Sequence, residues 1–186
     1  EPGFKGEYRR LWERFFENTM RWRDLPKPTI AQVQGYCIFG GFLIASCMDI
    51  IIASDDAKFL PSHLQLHTAP WDLGIREAKR ILFENRFIPA QEAKELGLVS
   101  QVVPREELEA AVMAQAERWA ENDLLSLRML KQSINLAQDA MGYRLALHAA
   151  HSNYMITELA IGENQVEKMR EERRMGRVAA ALAKEK

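Results

Sequence analysis

A glycine pair, Gly40-Gly41, opens a stretch with almost no polar side chain, Phe42-Leu43-Ile44-Ala45, and no other feature of the sequence bears as directly on chemistry. Glycine lets a ligand approach the backbone, and the first N–H groups of a helix have no intrahelical acceptor. Such amides, reinforced by the helix dipole, hold a developing oxyanion. Two glycines also describe a tight turn with close helix packing, so the pair alone leaves both readings open. His63 is next in interest, because an imidazole with an ordinary pKa near 6.5 works as acid or base close to neutrality. His67 and Asp72 are near it in sequence and suited to orient it; a hydrogen-bonded loop histidine is the competing reading. His148 and His151 stand one helical turn apart among Ala, Leu and Tyr, a spacing that suits a metal but more often serves packing or an interface. No residues have the spacing of a recognisable metal site. Tyr36 and Phe39 either wall a ligand pocket or are plain core. Ser46 has no G-x-S-x-G elbow around it, which disfavours a serine hydrolase.

Positioning these residues falls to an α/β chain with a helical end. Tyr8, Leu11, Trp12, Phe15, Phe16, Met20 and Trp22 recur at helical steps and predict an amphipathic helix that stops before Pro26 and Pro28. Residues 29–33 and 50–53 read as short buried strands. Between them lie the glycine pair and a helix apolar all round, which belongs in an interior. Two strands joined by a helical crossover predict an α/β arrangement with right-handed connections. Past a turn at 54–56 the chain reads as mainly helical, over 75–83 and over 89–96 with Gly97 as the stop, before a last strand at 99–103. Pro104 and Glu106-Glu107 open a further helix with Leu108, Val112 and Trp119 on its buried side. Asp123 is the expected N-cap of a helix over 124–140, and Gly142 separates it from a final helical stretch. The charged run 167–177 reads as a solvated helix face, with partner docking as the lesser alternative. The expected organisation is an α/β core over 1–103 and a C-terminal helical region over 104–186, without internal repeats.

The 186 residues are enough for one domain with a real core. With 26 acidic against 25 basic side chains there is no excess of positive charge for a phosphate backbone, so no nucleic-acid partner is expected. The longest apolar stretch, 38–53, is broken by Gly40, Gly41, Ser46 and Asp49 and falls short of the about 18 to 20 residues that span a bilayer, so no membrane partner is expected. The opening Glu1-Pro2-Gly3 and the charged segment behind it lack the pattern of a signal peptide. Cys37 and Cys47, the only cysteines, read as small buried hydrophobes, in keeping with a reducing, cytoplasmic compartment.

Three ordered motifs carry a family resemblance. Lys27-Pro28-Thr29-Ile30-Ala31-Gln32-Val33-Gln34-Gly35-Tyr36 runs without a gap through the glycine pair to Asp49-Ile50-Ile51-Ile52-Ala53 and on to Phe59. Ala90-Gln91-Glu92-Ala93-Lys94-Glu95-Leu96-Gly97-Leu98-Val99 is followed by Val102-Val103-Pro104. Together they resemble the crotonase family, the enoyl-CoA hydratases and isomerases, over residues 25–135. The resemblance implies an α/β fold, a partial crotonase-like ββα spiral core, with a C-terminal helical trimerisation region assembled as a homotrimer or hexamer. It implies an acyl-CoA thioester as substrate and no separate cofactor, coenzyme A arriving as part of that substrate. By position, Gly40 supplies one of two oxyanion-hole amides, and Tyr36, Ile38, Phe39, Gly41 and Leu43 surround the substrate. The second amide belongs to the family's N-terminal half. Residues ahead of Glu7 are too few to supply its strands, so the expectation is a piece of a longer enzyme or a shortened fold.

Family hydratases carry a Glu two residues after their glycines and another in a later loop, and the pair adds water to the alkene. Those positions hold Leu43 and His63 here. Leu cannot transfer a proton. The expected function is therefore an acyl-CoA enzyme of the hydratase/isomerase type with atypical carboxylates, acting in fatty acid metabolism. Gly40 would stabilise a thioester enolate, with His63 as the acid or base. The alternatives are a C–C hydrolase or decarboxylase of the same type, and a non-catalytic acyl-CoA-binding or assembly subunit.

Overall fold

A computed structural model describes residues 3–61, 68–159 and 166–185. The N-terminal amphipathic segment forms α1 (Phe4–Leu11), a π-helical stretch over Trp12–Glu17, and α2 (Asn18–Arg23). Its aromatic face is present but shifted: Phe16 and Met20 are buried, whereas Trp22 is 42% exposed. A π turn takes up one residue more than an α turn, so the buried stripe passes from Leu11 through Phe16 and Met20 to Arg23 and misses Trp22.

The core follows as β1 (Ile30–Val33), β2 (Tyr36–Ile38), α3 (Gly40–Cys47), β3 (Ile50–Ser54) and β4 (Lys58–Leu60). After these come α4 (Ala69–Asp72), α5 (Ile75–Glu84), β5 (Ile88–Pro89), α6 (Ala90–Glu95) and β6 (Gln101–Val103). The strands build two three-stranded sheets, ordered β1-β3-β6 and β2-β4-β5. The first four strands alternate between sheets: β1 and β3 pair in parallel with Ile30 opposite Ile50, and β2 and β4 pair in parallel with Tyr36 opposite Lys58, after which β5 joins β4 in the same sheet, antiparallel. Gly35, at φ 60°, makes the corner between β1 and β2, and its C=O accepts from the Lys58 N–H at 2.8 Å. The first two β-β-α turns each add a strand to both sheets, the pattern of a spiral of ββα units. The residues ahead of the glycine pair form β2, whose three residues are too short for any alternation to show in the sequence. Ala31, Val33, Ile51, Ala53, Phe59, Ile81, Ile88 and Val99 fill the space between the layers.

The C-terminal half is helical: α7 (Leu108–Ala120), α8 (Leu124–Ala140), α9 (Tyr143–Leu159) and α10 (Val166–Ala183). Asp123 caps α8 as expected, its carboxylate accepting from the Ser126 N–H at 2.7 Å. Polar bonds tie these helices to the core. Lys131 reaches the Asp49 carboxylate at 2.8 Å and the Lys27 C=O at 3.0 Å, and buried Arg23 donates to the Asn135 C=O at 2.9 Å. Arg144 bonds both oxygens of Asp24, at 2.7 and 2.8 Å. Among the described residues no helix is long and apolar enough to cross a membrane.

Candidate functional site

The entry to α3 is shaped by one residue. Phe39 sits between β2 and the helix at φ 45°, ψ −102°. Its N–H donates to the Leu60 C=O at 3.2 Å, prolonging the β2–β4 ladder, and its C=O accepts from the Leu43 N–H at 2.8 Å. That second bond closes the first turn of α3, so the N–H groups of Gly40, Gly41 and Phe42 lie ahead of it, at the positive end of the helix. Among the described residues a Cβ placed on Gly40 would meet nothing within 4 Å, so they leave open space beside that backbone. Among the described residues only Phe39 and Asn85 adopt positive φ without being glycine. Such a backbone costs about 1 to 3 kcal/mol and persists only where its surroundings fix it.

The residues expected around a substrate fall into two groups. Ile38 and Phe39 pack with Leu60, Phe87, Val178 and Ala181, under α10. Tyr36 leans on Phe87, ring centroids 5.3 Å apart, with the Lys58 ammonium 5.7 Å over its face, and is itself 55% exposed. Gly41 is exposed at the mouth of the helix. Leu43 belongs to a different cluster: it is buried with Phe16, Met20, Cys47, Tyr143 and Leu147, with Trp12, Phe15 and Trp71 against them. His63 and His67 lie outside the described residues. His148 and His151 are packing groups, standing edge-on to the Trp12 ring at 4.9 and 5.1 Å. Among the described residues no three potential metal ligands come together. Burial, and then the neighbouring His148, hold the His151 imidazole below its usual pKa.

Asp72 gains a standing that its sequence position did not give it. It ends α4 beside the Leu43 cluster, where Trp71 packs edge-on to Tyr143 at 5.4 Å. Its Oδ2 is sealed from solvent and has no hydrogen-bond partner. Burial pushes the carboxyl up to about 7, against a smaller opposing effect of a hydrogen bond with Thr68. Its charge in turn adds to the burial that raises the Cys47 thiol to about 12, and Cys47 lies one turn along α3 from Leu43. Only the placing of an acid after Pro70-Trp71, in an otherwise apolar run, hinted at this in the sequence.

The sequence profile described as enoyl-CoA hydratase/isomerase matches residues 3–169. The chain belongs to the enoyl-CoA hydratase/isomerase family. Over 169 residues it is 35% identical to EchA13 of Mycobacterium tuberculosis, which is named as an enoyl-CoA hydratase, covering 87% of this chain and 53% of that protein. A probable enoyl-CoA hydratase from Mycobacterium smegmatis superposes with a TM-score of 0.82 at 35% identity, over 86% of this chain and 69% of that one. An enoyl-CoA hydratase/isomerase from Xanthobacter autotrophicus Py2 gives 0.83 at 29% identity, over 97% and 69%. The chain thus spans about half the length of the M. tuberculosis hydratase that it matches, and it carries a partial crotonase core with its helical end.

Proposed function

We propose that the chain is part of an acyl-CoA enzyme of the hydratase/isomerase type, in which the Gly40 N–H holds the thioester oxygen as it takes on enolate charge. The observation that carries this is the α3 entry: leading amides ahead of the first helical bond, with open space beside Gly40. Coenzyme A comes with the substrate. Water addition by two carboxylates lacks its first acid, because Leu43 is 1% exposed inside an apolar cluster. A single carboxyl suffices for moving a proton along the acyl chain. In this reading the acyl chain extends from the Gly40 amide to the Leu43 cluster, where Asp72 as carboxylate accepts the proton as a C–H bond next to the thioester or its vinylogue breaks, the enolate rests on the amides, and the same proton returns to another carbon. His63 remains the family-position candidate for assisting water.

Incubation with a β,γ-unsaturated acyl-CoA should give a rise in conjugated-thioester absorbance, and an α,β-unsaturated one little loss. Loss of the conjugated band with the second substrate would favour hydration. Tight acyl-CoA binding with no turnover on either would favour the non-catalytic binder, for which buried Leu43 is the supporting feature.

Assembly into a trimer or hexamer is part of the same reading. Leu130, Ile134 and Leu145 on α8 and α9 are 58, 60 and 75% exposed, more apolar surface than a lone chain keeps in water. Leu130→Glu with Ile134→Glu should leave the secondary structure intact and shift the mass in light scattering from oligomer to single chain. An unchanged mass would place the interface elsewhere.

A further inference from the structure

We propose that Phe39 is a positioning residue that couples the docking of α10 to the orientation of the Gly40 amide. This rests on the reading of that amide given above, and it names what holds it in place. Phe39 has none of the local hydrogen bonding by which Asn tolerates positive φ, and its ψ of −102° lies well outside the left-handed helical region. Something distant must hold it. Its ring lies in the cluster of Ile38, Leu60 and Phe87, closed on the far side by Val178 and Ala181 of α10. The other non-glycine residue at positive φ, Asn85, also meets that helix, its side-chain amide donating to the Arg177 C=O at 3.1 Å. Both unusual backbone sites of the core are therefore seated under α10. Because the Phe39 peptide directly precedes Gly40, any relaxation of Phe39 toward ordinary φ turns the Gly40 N–H away from its present direction.

Side-chain size and backbone freedom predict opposite orders, which makes the test decisive. If Phe39 were only core, Phe39→Ala would be milder than Phe39→Gly. If it holds a strained cap, Gly adopts the native backbone freely and Ala does not, so Ala is the worse replacement. Two readouts are needed. The first is exchange of the Leu43 amide, bonded to the Phe39 C=O, which requires no ligand. It should speed up at least about tenfold more in Phe39→Ala than in Phe39→Gly, and Phe39→Leu should stay near the parent. The second is the carbonyl stretch of bound 13C-labelled acetyl-CoA. It should lose its shift in Phe39→Ala, with turnover down about 10- to 100-fold and the dissociation constant within about twofold. Val178→Ala, which loosens α10 without touching the cap, should move both readouts the same way by a smaller amount. Exchange in which Gly exceeds Ala, or which Val178→Ala leaves unaltered, overturns the proposal. A parent chain in which acetyl-CoA shows no shifted carbonyl removes the oxyanion assignment, and the exchange order still decides the role of Phe39.

Discussion

Turnover falls about 10²- to 10³-fold, a loss of about 3 to 4 kcal/mol in transition-state stabilisation, when Gly40→Pro is introduced into a Phe39→Gly chain; this is the expected result of deleting one oxyanion donor. Proline suits the first position of a helix, since its missing N–H has no intrahelical acceptor there, so α3 should survive. Among the described residues beyond its chain neighbours and its own helix backbone, no atom stands within 4 Å of a Gly40 Cβ, the first ring carbon a proline would add. Proline restricts the residue before it, which is why position 39 carries glycine in this background and why Phe39→Gly alone is the control. Thermal unfolding of the two chains should coincide within a few degrees, with acyl-CoA affinity falling less than turnover. Equal turnover in both would leave the Gly40 N–H without a role.

Asp72→Asn should cost about 10²- to 10⁴-fold in the same assay, the span typical of a positioned acid or base. The parent's rate should rise with a midpoint near the value of about 7 to which burial lifts this carboxyl, and the residual activity of the variant should lack that limb. Stability carries the same signature with a definite sign. The folded state raises the pKa above that of the unfolded chain, so it favours the neutral acid. That advantage is fully present below about pH 4 and is lost as pH rises through about 7, a difference of about 4 kcal/mol at most. Denaturant melts at pH 5 and pH 8 should therefore differ more for the parent than for Asp72→Asn, and the variant should be the more stable of the two at pH 8. A parent whose stability is flat across that range would mean the carboxyl is hydrated in solution, and with it the proton-carrier role would go.

Much of the frame is legible from residue order because its causes are local. Asp123 caps α8 through its own neighbour Ser126, three residues on. Gly40-Gly41 and the apolar run after it mark α3, and the β-branched runs around them mark the parallel pair β1 and β3. The crotonase motifs hold these pieces in a fixed order and are readable for that reason. What escaped was either too short or too distant. The strands β2 and β5 have three and two residues, below the length at which a period of two can be recognised. The π-helical stretch over Trp12–Glu17 moved the buried stripe by one residue and so exposed Trp22, an effect of packing rather than of propensity.

Sequence by itself carried the family resemblance, and through it the expectation of a ββα spiral and of Gly40 at the proposed site, since the motif residues stand at fixed spacing along one chain. Tertiary structure alone decided that Leu43 and Phe39 serve separate clusters, that burial raises the Asp72 carboxyl, and that α10 closes over the strained cap. Burial and desolvation are sums over neighbours brought in from far along the chain, and a list of residues carries no term for them until the fold sets those neighbours in place.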